Sequence, residues 1–282
     1  MEQTPDFQSD FQPEYEVEYE AEYQPYLDFA AELASECGAL AVETFGQHVA
    51  QRKSDGTLVT KTDQAIDHLI STRIGDAYPD HAILSEEQAT VYDPAYAFTW
   101  VVDPLDGTTN FTNGLPIWGV SIALLHNGLP VVGVVDFPLL GEQYQAMQAD
   151  GATRGLERLA TSTLTAANDE NFLMKCTRTD RQFQLATPLK SRIMGSAAYH
   201  ICKVADGTAL AGIEMSPKVW DLAAAWLILK EAGGEIIAAD EEPIFPLPAE
   251  RRDYREHPFI TFSAANAAIL QHLIAAAKVR SR

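Results

Sequence analysis

The chain has 282 residues, 46% of them hydrophobic, enough for a large core in one bipartite domain or two closely joined ones. A formal net charge of −20 excludes partners held by general attraction to phosphate backbones, so neither nucleic acid nor an anionic membrane is expected. Cys37, Cys176 and Cys202 lack C-x-x-C spacing, which argues against a disulfide framework or a zinc site and for a reducing cytoplasm. No leader pattern follows Met1 and no uncharged apolar run nears the roughly 18 residues of a membrane span, so neither secretion nor membrane spanning is expected.

Residues 1–25 carry Glu2, Asp6, Asp10, Glu14, Glu16, Glu18, Glu20 and Glu22 with no Lys or Arg. Repeated Glu, Tyr and Gln cannot bury a core, so a disordered acidic extension is expected. Its alternation of Tyr15, Val17, Tyr19, Ala21 and Tyr23 with glutamates makes a strand only on pairing with something else. From Tyr26 the spacing turns helical, with Leu27, Ala30, Ala31, Leu33, Ala34, Cys37, Leu40, Ala41 and Phe45 on one broad face that ends near Gly46. Residues 52–60 read as a hairpin or flap around Asp55-Gly56. Asp63 can N-cap the next helix, whose apolar face is Ile66, Leu69, Ile70 and Ile74, and capping alone would explain it. Residues 81–87 form a short strand ending in Glu86 and Glu87; neighbouring side chains on a strand point oppositely, so one of the two faces any given site unless the strand ends between them.

Residues 98–111 organise the rest. Phe98-Thr99-Trp100-Val101-Val102 is an apolar, β-rich run that reads as a strand buried on both faces, and it breaks at Asp103-Pro104-Leu105-Asp106-Gly107. Two carboxylates stand at its tip, and Gly107-Thr108-Thr109-Asn110 follows as a candidate helix start with hydroxyls and free backbone N–H groups. Carboxylates beside such a start are what a divalent cation bridging to a phosphate needs. Asp-Pro and Asp-Gly are also ordinary turn dipeptides, and a surface turn would explain this stretch taken alone.

Residues 120–125 and 131–135 flank His126-Asn127-Gly128 as a β-hairpin, and residues 142–149 continue as a strand. Residues 151–171 are small and polar and read as a loop or excursion. Residues 172–176 and 192–194 read as strands, and residues 197–204 as a helix ending near Gly207. Residues 219–235 spell an apolar helix with Asp221 in its first turn, Ala223-Ala224-Ala225 on a close-packed side and Gly233 at its stop; a first-turn Asp ordinarily complements the helix dipole. Residues 236–238 and 259–263 are strands and residues 265–279 a closing helix.

With Ser85-Glu86-Glu87, the run from Asp103 to Phe111, and Trp220-Asp221-Leu222-Ala223-Ala224-Ala225 in hand, the chain from about Tyr26 to its end resembles the inositol monophosphatase family. The three motifs occur in the family's order and two of them are long. The resemblance implies an α/β layered sandwich (α-β-α-β-α) of sugar-phosphatase type, with subdomains of approximately 26–150 and 151–282, shared with fructose-1,6-bisphosphatase. It implies Mg²⁺-dependent hydrolysis of a phosphate monoester, two to three ions, a small phosphorylated polyol as substrate, and a homodimer.

Carried over, the metal ligands are Glu86, Asp103, Asp106 and Asp221 with the backbone carbonyl of Leu105, and Glu87 matches the second acid of the Glu-Glu pair. Thr108 and Asp63 match a pair that positions and deprotonates the attacking water, which with Glu86 makes the candidate catalytic set. Gly107 and Thr108 match phosphate contacts at the helix start. Gly195, Ser196 and Ala197 match a segment that touches the inositol ring, and Glu214 stands where the family places an acid that bonds ring hydroxyls. Lys53 resembles the flap lysine, one residue closer to Asp63 than in the animal enzymes, with Arg52 or Lys61 as alternatives.

The expected substrate is inositol monophosphate, since an acid such as Glu214 accepts hydrogen bonds from vicinal hydroxyls and repels a second phosphate. Rival monoesters are histidinol phosphate, fructose 1,6-bisphosphate and 3′-phosphoadenosine 5′-phosphate. A catalytically silent binding protein, docking through the acidic tail, is a reading of another class; the complete ligand set and the Thr108/Asp63 pair speak against it. A Ca²⁺-binding module would need EF-hand spacing, and none is present.

Overall fold

The apolar run before Asp103 becomes an inner strand of a seven-stranded sheet in the computed structural model, which describes residues 14–47, 51–52 and 58–280. The first part of the chain supplies α1 (Glu14–Thr44), β1 (Gln51–Arg52), β2 (Leu58–Val59), α2 (Lys61–Ala77), β3 (Ala82–Ser85), β4 (Val91–Tyr92), β5 (Phe98–Asp106) and α3 (Thr108–Thr112). An antiparallel run follows: β6 (Gly119–His126), β7 (Leu129–Phe137), β8 (Glu142–Met147), β9 (Gly151–Arg154) and β10 (Glu157–Arg158). The rest comprises β11 (Phe172–Lys175), α4 (Thr179–Gln182), β12 (Phe183–Leu185), β13 (Lys190–Arg192), α5 (Ala197–Ala205), β14 (Ala211–Glu214), α6 (Val219–Glu231), β15 (Glu235–Ala238), β16 (Arg252–Asp253), β17 (Thr261–Ala264), α7 (Ala267–Ala276) and β18 (Ala277–Val279).

The large sheet runs β10-β9-β8-β7-β6-β5-β3, with only β3 and β5 parallel, and a second sheet runs β13-β11-β14-β17-β15. Strand periodicity explains the layers. Trp100 and Val102 of β5 pack with Leu33, Cys37, Ile66 and Ile70 of α1 and α2, whereas Val101 faces the core built by α5 and α6. On the second sheet Met174 faces α5 and α6, while Leu173, Ile213 and Phe262 face Ile269 and Leu273 of α7. The order is therefore helix pair, sheet, helix pair, sheet, helix: the expected layered sandwich. The alanine face of α6 lets the helix lie close on β7, where a Cβ on Gly133 would stand 2.8 Å from the Ala224 carbonyl oxygen.

Several expectations change. Helix α1 begins at Glu14, so the disordered extension expected over residues 1–25 does not hold from Glu14 onward; residues 1–13 lie outside the described set. Tyr23 is 1% exposed, its hydroxyl 2.7 Å from His126 Nδ1, and the helical step Tyr23, Leu27, Ala30, Ala34 was hidden by the period-two Glu/Tyr alternation. The stretch read as a loop at 151–171 opens with β9 and β10, which stay on the large sheet, so the chain crosses to the second sheet after Arg158 rather than at residue 150. The last helix stops at Ala276, and β18 pairs with β12 instead of extending it. Thr60, not Asp63, is the N-cap of α2; Asp63 is the third residue and closes a capping box. Strands β1 and β2 pair antiparallel as a flap hairpin requires, with the Asp55-Gly56 turn outside the described residues. No described helix is long and apolar enough to cross a membrane.

Candidate active site

The ladder between β5 and β6 shifts register between Asp103 and Asp106, and Pro104 contributes no N–H there. The Leu105 N–H donates to Asp103 Oδ1 at 2.9 Å, turning the strand end on itself. Gly107 then takes φ +91°, where an added Cβ would lie 3.0 Å from the Ile117 carbonyl oxygen, and the chain enters α3 with Thr108. Asp221 comes from the first turn of α6, its Oδ2 accepting the Lys218 N–H at 2.6 Å. Asp103, Asp106 and Asp221 each bring a carboxylate oxygen within 4.8 Å of the others. They share a cavity of about 840 Å³ with Glu86, Leu105, Gly107, Thr108, Gly195, Ala197 and Glu214.

Burial, then the charges of Glu86, Asp221 and Asp106, hold Asp103 well above the usual carboxylate range. Burial raises Asp106 as well, opposed by hydrogen bonds from Ser196, Ala198 and Ala197. Asp221 rises through burial and the charge of Asp106. Carboxylates this close and this dry cannot all ionise alone, and hard oxygen donors at such a site fit Mg²⁺.

Thr108 Oγ1 is 3.3 Å from Asp63 Oδ1 and 3.1 Å from the Leu105 carbonyl oxygen, so its one proton has two acceptors. Asp63 is buried, and its Oδ2 accepts from the Thr60 N–H at 2.8 Å and the Thr60 hydroxyl at 2.5 Å. The capping role and the contact with Thr108 thus use different oxygens of one carboxylate.

Ser196, in the segment expected to touch substrate, bonds inward to Asp106. It is 1% exposed and absent from the cavity wall, and its Oγ donates to Asp106 Oδ2 at 2.5 Å, joined by the N–H groups of Ala197 and Ala198 at 3.3 and 2.9 Å. Ser196 is the N-cap of α5, so the first turn of that helix grips the Asp106 carboxylate while Gly195 and Ala197 border the cavity. Strand β3 ends at Ser85, short of the strand expected over residues 81–87, so Glu86 and Glu87 both lie in the bend that follows; Glu86 lines the cavity and Glu87 does not. Lys53 lies outside the described residues, and Lys61 is exposed at the start of α2.

Three cationic residues went unread in the sequence. Arg178, Lys218 and Arg255 line the same cavity; Arg178 Nη1 donates to Ser216 Oγ at 2.5 Å and Lys218 Nζ to the Arg255 carbonyl oxygen. Arg178 and Arg255 sit in separate connections with no local motif. Lys218 had one available signal, its position three residues before Asp221 at the helix start. His200, inside α5, has no motif to announce it in the sequence, and its Nδ1 is 2.5 Å from Glu214 Oε1.

A sequence model described as the inositol monophosphatase family matches residues 22–280. The chain is 35% identical over 232 residues to an inositol-1-monophosphatase of Synechocystis sp., covering 78% of this chain and 80% of that protein. It is 32% identical over 224 residues to a histidinol-phosphatase of Chlorobaculum parvum, covering 74% and 84% respectively. The solved structure of an IMPase from Thermotoga maritima superposes with a TM-score of 0.75 at 25% identity, over 89% of this chain and 98% of that one.

Proposed function

The chain belongs to the inositol monophosphatase family, and we propose on that premise that it hydrolyses a phosphate monoester with Mg²⁺, inositol monophosphate being the substrate its cavity suits best. The observation that carries this reading is the meeting, in one cavity, of the Asp103, Asp106 and Asp221 carboxylates with Thr108 and with Glu214.

Phosphate-monoester hydrolysis has a very high uncatalysed barrier and a loose transition state, so positioning and charge stabilisation are what a protein has to contribute. Glu86, Asp103, Asp106, Asp221 and the Leu105 carbonyl are the groups that would hold the ions. Bound there, divalent cations supply a lowered water pKa and neutralise charge on the leaving oxygen. Thr108 Oγ1 orients the attacking water through a lone pair, and as Asp63 Oδ1 takes the Thr108 hydroxyl proton, the water's proton passes to Thr108 Oγ1. The first turn of α3, at Gly107 and Thr108, borders the cavity and receives phosphate oxygens. Glu214 accepts hydrogen bonds from hydroxyls of the alcohol portion. The same reading makes the protein a cytoplasmic homodimer with no nucleic-acid or membrane partner.

A second reading has a specific observation behind it. Arg178, Lys218 and Arg255 are three of only 20 basic residues in a chain of net charge −20, and they border this one cavity. They favour an alcohol portion that carries another anion, as fructose 1,6-bisphosphate and 3′-phosphoadenosine 5′-phosphate do. Histidinol phosphate, which the name of one relative suggests, has a cationic amine that these residues repel. Phosphate release from inositol monophosphate, histidinol phosphate and the two bisphosphates, with and without Mg²⁺, tests the proposal. Mg²⁺-dependent release fastest from inositol monophosphate supports it; no release from any ester returns the chain to the silent binding-protein reading.

A further inference from the structure

Helix α5 buries two polar side chains among apolar ones: Lys203, which pairs with Glu142 and Asp206, and His200, which is only 1% exposed. Its two ring nitrogens have separate partners. The Met194 N–H donates to Nε2 at 2.9 Å, and Glu214 Oε1 lies 2.5 Å from Nδ1. An amide N–H only donates, so Nε2 must offer its lone pair, and a neutral imidazole then carries its proton on Nδ1. Burial pushes the His200 pKa down to about 4, which keeps the ring neutral at physiological pH. Nδ1–H therefore donates to Glu214 Oε1, and the direction of that bond is dictated by a backbone amide on the other side of the ring.

Glu214 ends β14, borders the cavity and is 5% exposed. A glutamate on its flexible stem would otherwise choose among rotamers; with Oε1 held, Oε2 is the oxygen left for a ligand. The turn that holds His200 also holds the metal site: the Met194 carbonyl accepts from Asn110 Nδ2 at 2.6 Å, and Ser196 and Ala198 bond Asp106. Gly195 within it takes φ +82°, where a Cβ would stand 2.8 Å from the Asn110 amide, so the turn admits no side chain at that point.

We propose that His200 is a positioning residue that fixes Glu214 to accept hydrogen bonds from hydroxyls of a polyol phosphate, and thereby sets preference for the alcohol portion of the substrate. The proposal rests on the polyol-phosphate reading above.

Two substitutions divide the ring's functions. His200→Asn keeps a donor near the Nδ1 position and loses the acceptor for Met194, whereas His200→Gln keeps an acceptor at the reach of Nε2 and loses the donor to Glu214. In the full-length enzyme with saturating Mg²⁺, His200→Gln is expected to lower kcat/KM for inositol monophosphate about tenfold, chiefly through KM, with a smaller loss on glycerol phosphate. His200→Asn should retain the wild-type preference between the two esters. If His200→Gln keeps that preference, or both variants slow both esters by a common factor, His200 is structural and the proposal falls alone. A wild-type enzyme that does not prefer the ring ester overturns the polyol reading and this proposal together. Imidazole ¹⁵N shifts of the wild type give a measurement that needs no variant: protonation at Nδ1 is expected, and protonation at Nε2 overturns the assignment.

Discussion

Ser196 Oγ donates to Asp106 Oδ2 at 2.5 Å, and both side chains are buried, so a serine in the segment expected to touch substrate holds a carboxylate of the Asp103, Asp106 and Asp221 cluster. Removing that hydroxyl leaves Asp106 with only the two backbone N–H groups of α5 and loosens its aim. Ser196→Ala should raise the Mg²⁺ concentration for half-maximal activity about tenfold, the scale typical of partners that orient metal ligands. KM for the phosphate ester at saturating Mg²⁺ should change less. An Mg²⁺ titration of both proteins checks this; a shift confined to KM would return Ser196 to the substrate.

Asp103→Asn should abolish turnover while Glu87→Gln leaves most of it. Asp103 lies in the carboxylate trio and is the group expected to serve two ions, whereas Glu87 stands outside the cavity wall. Rates at saturating Mg²⁺ and a calorimetric Mg²⁺ titration compare them. Equal losses in both variants would sink the ligand assignment.

Much of this arrangement was readable because it is local. Asp103 and Asp106 flank one proline at one strand end, and Asp221 and the alanines that let α6 lie on Gly133 share one helix. Elsewhere adjacency misled: Ser196 and Ala197 are neighbours in a motif, yet the N-cap geometry of α5 turns one to Asp106 and the other to the cavity. Arg178 and Arg255 meet the site only through the folded sheets, which no spacing along the chain encodes. The glutamates around Tyr23 spell a solvated tail and outweigh one aromatic at helical distance from Leu27, yet the ring is buried.

Tyr23 supplies a stability prediction. Its ring is buried edge-on to His126, with centroids 6.0 Å apart, and its hydroxyl is 2.7 Å from Nδ1. Tyr23→Ala should cost about 3 kcal/mol through the cavity it leaves, and Tyr23→Phe about 1 kcal/mol for the lost hydrogen bond. Deleting residues 2–25 should lower the thermal midpoint at least as far as Tyr23→Ala does. Thermal and denaturant melts of all three decide the matter, and a deletion with the wild-type midpoint would show that this part of α1 adds nothing to the core.

Substrate choice rests on opposing charges in one cavity, and paired substitutions separate them. Glu214→Gln removes an acceptor for ring hydroxyls; losing a charged hydrogen bond costs about 1.5–3 kcal/mol, or roughly ten- to a hundredfold in kcat/KM for inositol monophosphate. Glycerol phosphate should lose less, and doubly phosphorylated esters should gain relative to the monoester because a negative neighbour is gone. Arg178→Gln should act in the opposite sense, weakening fructose 1,6-bisphosphate and 3′-phosphoadenosine 5′-phosphate severalfold while leaving inositol monophosphate nearly as good a substrate. Arg178 is exposed and held by Ser216, so its charge is screened and the effect should shrink at high salt. The measurement is kcat/KM for all four esters in wild type and both variants at fixed Mg²⁺ and two ionic strengths. If Glu214→Gln slows every ester by one factor, the acid is a general element of the site and the case for a polyol ring loses its main support. If Arg178→Gln leaves the bisphosphates untouched, the cations at the cavity wall only balance the surrounding carboxylates, and the doubly phosphorylated reading goes with them.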